Sequence, residues 1–204
     1  MSQTPLFDLE SSDADRRRVE EALLEAVQTP DAYLTEIASH LLLAGGKRLR
    51  PMLTLAAACL CGYTGPYHIH LAATVEFIHT ATLLHDDVVD EAMTRRGFFS
   101  INALWKNKIA VLFGDYLLSR GLLLSINNDA FDLLKIVATA VKEMSEGELL
   151  QQEKSRRMKV NEDVYYRIIQ QKTASLIAAC CAMGAAASNA SEEDKQKMYD
   201  LGMS

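Results

Sequence analysis

The sequence FIHTATLLHDDVVDE, residues 77–91, joins an apolar helical run directly to a cluster of carboxylates. Aspartate is a poor helix former, yet here it continues the helical pattern. Asp86 and Asp90 are one helical turn apart, so a helix places both on one face, about 6 Å apart along its axis. Two carboxylates at that range repel each other and favour a bound cation. Mg²⁺ suits them because it prefers oxygen ligands, whereas Ca²⁺ is less favoured without an EF-hand loop. A solvated acidic helix end is the alternative.

Helical spacing extends through most of the chain, which has 204 residues but only 4 prolines and 10 glycines. Asp129, Asn161 and Ser191 are predicted N-caps. We therefore expect one all-α domain over residues 1–204, a bundle of long, mostly antiparallel helices. The apolar faces of these helices are too extensive for one chain of this length to bury. Either the chain dimerises or it lacks a piece. The apolar periodicity predicts helices over about 16–27, 31–43, 51–62, 66–91, 108–124, 129–157, 161–187 and from 191 onward.

Composition narrows the classes of function. The formal net charge is −6, whereas a protein that binds nucleic acid usually carries the opposite balance. The polar, acidic start is not a secretory signal peptide, and no run of about 18 apolar residues indicates a transmembrane span. The four cysteines lack the spacing of a redox or zinc site. We expect buried, reduced thiols in a cytoplasmic protein at Cys59, Cys61, Cys180 and Cys181.

A basic segment precedes the third predicted helix. Gly45 and Gly46 allow a ligand to approach the backbone closely. Lys47, Arg48 and Arg50 bring three cations to a helix N-terminus, where phosphate binds well. The alternative is a turn whose charges are simply solvated.

Other charged residues flank the aspartates. His79 lies two helical turns before Asp86 and so faces the same site, although a lone helical histidine is more often a core residue. Arg95 and Arg96 follow the aspartates, and they would either neutralise the acidic cluster or hold an anion that shares its metals.

Lys172 and Thr173 stand in the middle of a predicted helix, and no further charge follows before Glu192. Such a lysine either snorkels outward or reaches an internal anion. Together these features describe one pocket with carboxylates for a divalent metal, several cations and apolar helices around them. Its ligand should carry two or more phosphates and an apolar body.

Four segments now suggest a family: GGKRLRP (45–51), EFIHTATLLHDDVVDEAMTRRG (76–97), LFGDYLLSRG (112–121) and QKTASL (171–176). In this order and spacing they resemble the trans-isoprenyl diphosphate synthases of the polyprenyl, octaprenyl-like branch. The resemblance covers the chain from about Leu24 onward. It implies an isoprenoid-synthase-like all-α fold around a central cavity, usually as a homodimer. The implied reaction condenses isopentenyl diphosphate head to tail with an allylic diphosphate.

The resemblance also implies a metal site. Asp86 and Asp90 would bind Mg²⁺ that bridges the allylic diphosphate, with Asp87 supporting them. Glu148 and Gln151 would reach metal-bound water. Metal and cations would stabilise the departing diphosphate while the allylic C–O bond ionises, the isopentenyl double bond attacks and a proton is lost.

Substrate contacts follow from the same resemblance. Three residues would contact the allylic diphosphate: Arg95, Lys172 and Thr173. Four would hold the diphosphate of isopentenyl diphosphate: Lys47, Arg50, His79 and Arg96. In this family, bulky aromatics just before the aspartates stop chain growth early. Small residues stand there in this chain, Ala81 and Thr82, so the expected product is longer than farnesyl.

The family carries a second aspartate-rich motif later in the chain, and the acidic residues near the end of this sequence do not form one. The resemblance therefore predicts a chain incomplete at its C-terminus, inactive or very slow as it stands. The missing motif favours an alternative function, a non-catalytic partner subunit of a complete synthase, but the intact first motif favours a catalyst. A terpene cyclase also uses a metal-bound aspartate cluster. The basic segment at 45–51 argues against it, because a cyclase has no second diphosphate substrate to anchor.

Overall fold

Helices make up most of the computed structural model, which describes residues 9–43, 45–63, 65, 67–95, 97–126, 131–157 and 161–204. The predicted all-α class is confirmed. In chain order the elements are α1 (Leu9–Val27), α2 (Ala32–Leu43), α3 (Leu49–Leu60), α4 (Tyr67–Val89), β1 (Thr94–Arg95), β2 (Phe98–Phe99), α5 (Ile101–Ile126), α6 (Phe131–Arg157), α7 (Glu162–Ile169), a π-helical turn (Gln170–Ala174), α8 (Ser175–Ala187) and α9 (Glu192–Met203).

Side-chain caps start several of these helices. The Asn161 carboxamide accepts a hydrogen bond from the Val164 amide at 2.9 Å, and the Ser191 hydroxyl accepts one from the Asp194 amide at 3.1 Å. Each cap satisfies a backbone donor that has no partner within its helix. Both predicted caps are therefore confirmed, whereas Asp129 lies outside the described residues.

Helix α4 lies between two buried clusters. The first joins it to α1, α2 and α5 and includes Leu23, Phe77 and Phe113. The second joins it to α6 and α8 and includes Val75 and Leu176. Burying an apolar side chain of this size stabilises the fold by about 1.5–3 kcal/mol. Because α4 is packed on several sides, the position of its aspartate-bearing end is fixed by the core.

Helix α8 packs closely against its neighbours because its residues are small. A Cβ atom added at Gly184 would lie 2.5 Å from the Ala57 Cβ atom of α3, closer than packing allows. Cys180 and Cys181 are buried in this helix, and burial raises the pKa of Cys180 to about 12. Cys59 is exposed on the outer side of α3, so the expectation that all four thiols are buried is wrong.

A short hairpin follows α4, in the segment between the predicted helices 66–91 and 108–124. Thr94 pairs with Phe99 and Arg95 with Phe98 in antiparallel register. A hydrogen bond of 3.0 Å joins His40 Nε2 of α2 to the Phe99 carbonyl. The hairpin is thereby tied to the bundle, and it holds Arg95 at the end of α4.

Helix α5 begins at Ile101 rather than near Lys108. Its backbone is kinked at Lys106, where φ is 72° and ψ is 159°. The kink interrupts the helical spacing of the apolar residues. The sequence therefore predicted only the part of α5 that follows Lys106. Glycine occupies this backbone region readily, whereas a residue with a Cβ atom is strained there by about 1–3 kcal/mol.

We expect Lys106→Gly to raise the free energy of unfolding by about 1 kcal/mol, since relief of strain exceeds the greater unfolded-state entropy of glycine. Urea denaturation measures the change. The matched control is Lys108→Gly, two residues further on in helical backbone, which should lower the free energy of unfolding by about 1 kcal/mol. Equal effects at the two positions would contradict the strain at Lys106.

Among the described residues, one helix, α5, is long and apolar enough to cross a membrane, judged by length and composition alone. Core helices pass the same test, and α5 contributes Phe113 and Leu117 to the cluster around α4. The feature is therefore weak evidence for a span. The expectation of no transmembrane span stays a prediction.

Candidate active site

The aspartate helix ends in a tight backbone turn. The Ala92 amide donates to the Asp87 carbonyl at 2.9 Å, and Glu91 adopts a left-handed conformation with φ 50°. This is the Schellman arrangement, which usually places glycine at the left-handed position. Asp90 lies just beyond the last residue of α4, but its amide still donates to the Asp86 carbonyl at 2.8 Å. Asp90 therefore keeps the helical register with Asp86 on which the predicted metal site depends.

Asp87 differs from its neighbours because its carboxylate is buried and already paired. Its side chain is 2% exposed and accepts a bifurcated hydrogen bond from Arg95 Nε, at 2.8 Å to Oδ1 and 2.7 Å to Oδ2, and a further one from Arg95 Nη2. The hydrogen bond to Asp87 is the largest cause of the raised pKa of Arg95. In the structure Arg95 therefore neutralises Asp87, and its contact with an allylic diphosphate stays a prediction. Arg96 lies outside the described residues.

Lys172 reaches the same region from the π-helical turn. Its ammonium forms an ion pair with Glu148 of α6 and donates to Gln151 Oε1 at 3.3 Å. π-Helical turns are rare and often mark functional sites. A Cβ atom at Gly147 would lie 3.0 Å from the Lys172 amide nitrogen, so glycine lets α6 approach the turn closely. Thr173 is exposed beside Lys172, and both line an open cavity of about 370 Å³ with Gln151.

The electrostatics of Asp86 connect these groups. Burial is the main cause of its raised pKa, and the charges of Glu148 and Asp90 raise it further. The charges of Lys172 and Arg95 lower it. The charges of two further carboxylates and two cations thus act on Asp86 at the end of α4. The roles predicted for Asp86, Asp90, Arg95 and Lys172 stay predictions.

A second, basic group lies further back along α4. Arg50 Nη1 is 3.0 Å from His79 Nε2, and both residues line an open cavity of about 440 Å³ with the exposed Lys47. Arg48 also borders this cavity, but its guanidinium turns into the core and bonds Glu76 at 2.6 Å. The prediction that the segment presents three cations to a ligand is therefore wrong for Arg48, which is an internal ion-pair partner.

The two predicted chain-length residues lie between these groups. Ala81 is 1% exposed and belongs to the buried cluster that contains Phe113 and Leu117 of α5. Thr82 is half-buried, and its hydroxyl donates to the His79 carbonyl at 2.8 Å. Both side chains are small, but their effect on product length stays a prediction.

Comparisons with known proteins identify the family. The polyprenyl synthetase family model matches residues 31–204. The chain belongs to the polyprenyl synthetase family. The resemblance drawn from the four sequence segments is thereby confirmed.

The named relatives are long-chain prenyl diphosphate synthases. A nonaprenyl diphosphate synthase of Rhodobacter capsulatus, described as geranyl-diphosphate specific, is 42% identical over 160 residues, which cover 78% of this chain and 49% of the relative. The octaprenyl diphosphate synthase of Escherichia coli is 35% identical over 188 residues, covering 92% of this chain and 58% of the relative. The chain thus spans about half to six-tenths of the length of these curated relatives.

Solved structures share the fold. A decaprenyl diphosphate synthase from Rhodobacter capsulatus matches with a TM-score of 0.90 and 46% identity, covering 95% of this chain and 60% of the other. A polyprenyl synthase from Caulobacter crescentus, complexed with calcium and isoprenyl diphosphate, matches with a TM-score of 0.91 and 39% identity, covering 96% and 60%. These matches confirm the predicted isoprenoid-synthase-like fold of this family member.

A divalent metal fits the acidic group as an ion shared with a ligand. Within the described part of the chain, no three His, Cys, Asp or Glu side chains form a ready metal cage. Mg²⁺ does not need one, since it keeps several waters and takes one or two carboxylates together with substrate phosphates. Asp86 and Asp90 keep one helical register, and Glu148 lies close enough for its charge to add to the effect of burial, which is the main cause of the raised pKa of Asp86. The donor set therefore suits Mg²⁺.

The buried ion pair between Glu76 and Arg48 was not predicted from the sequence. Glu76 is 5% exposed. An acidic residue inside the apolar start of α4 was the available signal. Buried acids are almost always paired, so a basic partner was to be expected.

Proposed function

We propose that this chain condenses isopentenyl diphosphate with an allylic diphosphate to form a long-chain all-trans polyprenyl diphosphate. One observation carries the proposal: α4 presents an acidic group and a basic group on the same face. His79 and Asp86 are two turns apart, which is about 10 Å along the helix axis. Two diphosphates bound there would lie close enough for their hydrocarbon parts to react.

The basic group serves isopentenyl diphosphate in this proposal. The Arg50 guanidinium offers a planar fork of N–H donors that suits phosphate oxygens, and Lys47 adds a compact positive charge. His79, in hydrogen-bond contact with Arg50, supports the same site. These side chains bind and orient the diphosphate so that the isopentenyl double bond faces the allylic carbon.

The acidic group serves the allylic diphosphate. Asp86 and Asp90 would hold Mg²⁺, which when bound supplies positive charge that stabilises the leaving diphosphate. Lys172 and Thr173 line one open cavity and would contact that diphosphate together with Arg95, which pairs with Asp87. Asp87 supports the site by orienting Arg95.

The bonds balance without a protein nucleophile. The allylic C–O bond breaks and its electron pair leaves with the diphosphate. The isopentenyl double bond supplies the electrons of the new C–C bond. The adjacent carbon loses a proton to the released diphosphate, and the C–H electron pair forms the double bond of the product. Preorganised charges around the leaving group are the expected source of rate enhancement.

We also propose a homodimer in the cytoplasm. Apolar side chains on the outer side of α5 support a second copy as partner, since such patches mark interfaces. They include Leu104, Leu112 and Leu123, which are 46%, 54% and 45% exposed.

Product length tests the proposal. With Mg²⁺, farnesyl diphosphate, radiolabelled isopentenyl diphosphate and long incubation, this chain should slowly give products longer than farnesyl, in keeping with the low activity expected from its sequence. The small residues Ala81 and Thr82 leave room for the growing tail, so Ala81→Phe should shorten the products without abolishing isopentenyl incorporation. Chromatography of the dephosphorylated products measures both effects. Absence of any Mg²⁺-dependent incorporation by this chain would contradict the proposed reaction. Unchanged product length in Ala81→Phe would contradict the proposed tail path.

A further inference from the structure

Two buried polar side chains that sequence analysis did not single out fasten the end of α4 to the start of α5. Asn102 is 9% exposed, and its Nδ2 donates to the carbonyls of Asp87 and Ala92 at 3.3 Å and 3.0 Å. Ser100 is 3% exposed, and its hydroxyl donates to the same Ala92 carbonyl at 2.6 Å. These bonds connect residues that lie on different elements.

The carbonyls that Asn102 reaches belong to the turn that ends the aspartate helix. The Asp87 carbonyl already accepts a hydrogen bond from the Ala92 amide of the turn, and Asn102 adds a second donor. The Ala92 carbonyl beyond the helix receives side-chain donors from Ser100 and Asn102. The turn also holds Glu91 in the left-handed conformation, which is unfavourable for a residue other than glycine. External donors therefore compensate for a turn that the local sequence does not favour.

Asp90 lies within this turn and not within the regular helix. Its alignment with Asp86 depends on the hydrogen bond from the Asp90 amide to the Asp86 carbonyl. The adjacent Asp87 is held at both ends, since Asn102 bonds its carbonyl and Arg95 bonds its carboxylate. Asn102 thus acts on the backbone that carries all three aspartates.

We propose that Asn102 is a positioning residue for the aspartate cluster. It fixes the last turn of α4 so that Asp86 and Asp90 face the Lys172 side together. This inference rests on the proposed function, because it assumes that the aspartates hold a metal–diphosphate ligand. Partners that orient metal ligands in this way are typically worth 10–100-fold in metal affinity.

Calorimetric titration of the full chain tests the role. The first probe is inorganic pyrophosphate with Mg²⁺, directed at the aspartates. The second is isopentenyl diphosphate without Mg²⁺, directed at Lys47, Arg50 and His79. Asn102→Leu, branched at the same carbon but without a donor, should weaken binding of the first probe by roughly 10–100-fold and leave the affinity for the second unchanged.

Two further variants separate positioning from general stability. Asn102→His restores an N–H donor and should recover part of the affinity for Mg²⁺ with pyrophosphate. Val19→Ala removes methyl groups from a fully buried site in α1 and lowers stability elsewhere. It should leave both affinities unchanged, because partial unfolding reduces the number of binding-competent molecules more than the affinity of each.

The titrations distinguish a positioning role of Asn102 from its alternatives. If wild type binds Mg²⁺ with pyrophosphate and Asn102→Leu binds it equally well, the positioning role is overturned. The role is also overturned if Asn102→Leu loses affinity for both probes alike. Should Asn102→Leu fail to fold, Asn102→Ser decides by the same comparison, since a short hydroxyl cannot span both carbonyls. If wild type itself binds neither probe, the proposed function fails, and the inference fails with it.

Discussion

Asp86→Asn is expected to abolish measurable prenyl transfer while making the unliganded protein more stable at neutral pH. Removing one preorganised charge-stabilising group from an active site typically lowers kcat by about 10²–10³-fold. Asparagine keeps the size of the side chain but loses the anionic oxygen that a divalent metal prefers. Incorporation of radiolabelled isopentenyl diphosphate, at saturating Mg²⁺ and farnesyl diphosphate, measures the loss.

The gain in stability follows from the environment of Asp86. Burial, Glu148 and Asp90 raise its pKa above 3.8, against the opposing charges of Lys172 and Arg95. For a carboxyl group whose pKa is raised by folding, the stabilising contribution is present below the unfolded value and is lost as pH rises through the folded value. At neutral pH the ionised Asp86 therefore costs stability, which the neutral amide of Asp86→Asn does not.

Urea denaturation without metal at two pH values checks that sign. The variant should be more stable than wild type at neutral pH, and the difference should disappear below pH 3.8, where Asp86 is protonated in both states. Glu91→Gln is the matched control, because it removes one exposed negative charge from the same segment. It should keep most activity. Equal loss of activity in both variants would contradict the special role of Asp86, and a less stable Asp86→Asn would contradict the electrostatic account.

Local signals in the sequence predicted much of the fold. Asn161 and Ser191 cap helices as expected because a cap depends on a few adjacent residues. The start of α5 could not be predicted, since the kink at Lys106 interrupts the apolar register. The hairpin was missed because its strands are two residues each, and His40, distant in sequence, ties it to the bundle.

In the candidate site too, features that depend on adjacent residues were predicted, and contacts between separate helices were not. Helical spacing alone placed His79 on the face of Asp86, because both belong to one continuous helix. Spacing could not assign charge partners, which depend on how separate helices pack. Lys172 lies in a π-helical turn and meets Glu148 of the separate helix α6. Helical periodicity in the sequence predicted neither the turn nor the partner.

Arg48 shows most clearly that neighbouring cations in a sequence can serve different purposes. Lys47 is exposed and Arg50 meets His79, whereas Arg48 between them is 7% exposed and bonds the equally buried Glu76. Glu20 of α1 adds a weaker contact at 3.8 Å. The pair therefore joins the basic segment to α4 inside the core, where an unpaired charge is costly.

Arg48→Met is expected to lower the free energy of unfolding by roughly 3–5 kcal/mol, since it leaves the Glu76 carboxylate buried without its partner. Arg48→Met combined with Glu76→Leu should recover most of that loss, because apolar residues of similar volume replace buried ion pairs with little penalty. The exposed control Arg18→Met breaks a surface pair with Asp15 and should change stability by at most about 1 kcal/mol. Urea denaturation of the four proteins measures these differences. If the double variant were as unstable as Arg48→Met alone, the penalty would come from lost packing of the arginine side chain, and the buried charge would not be its cause.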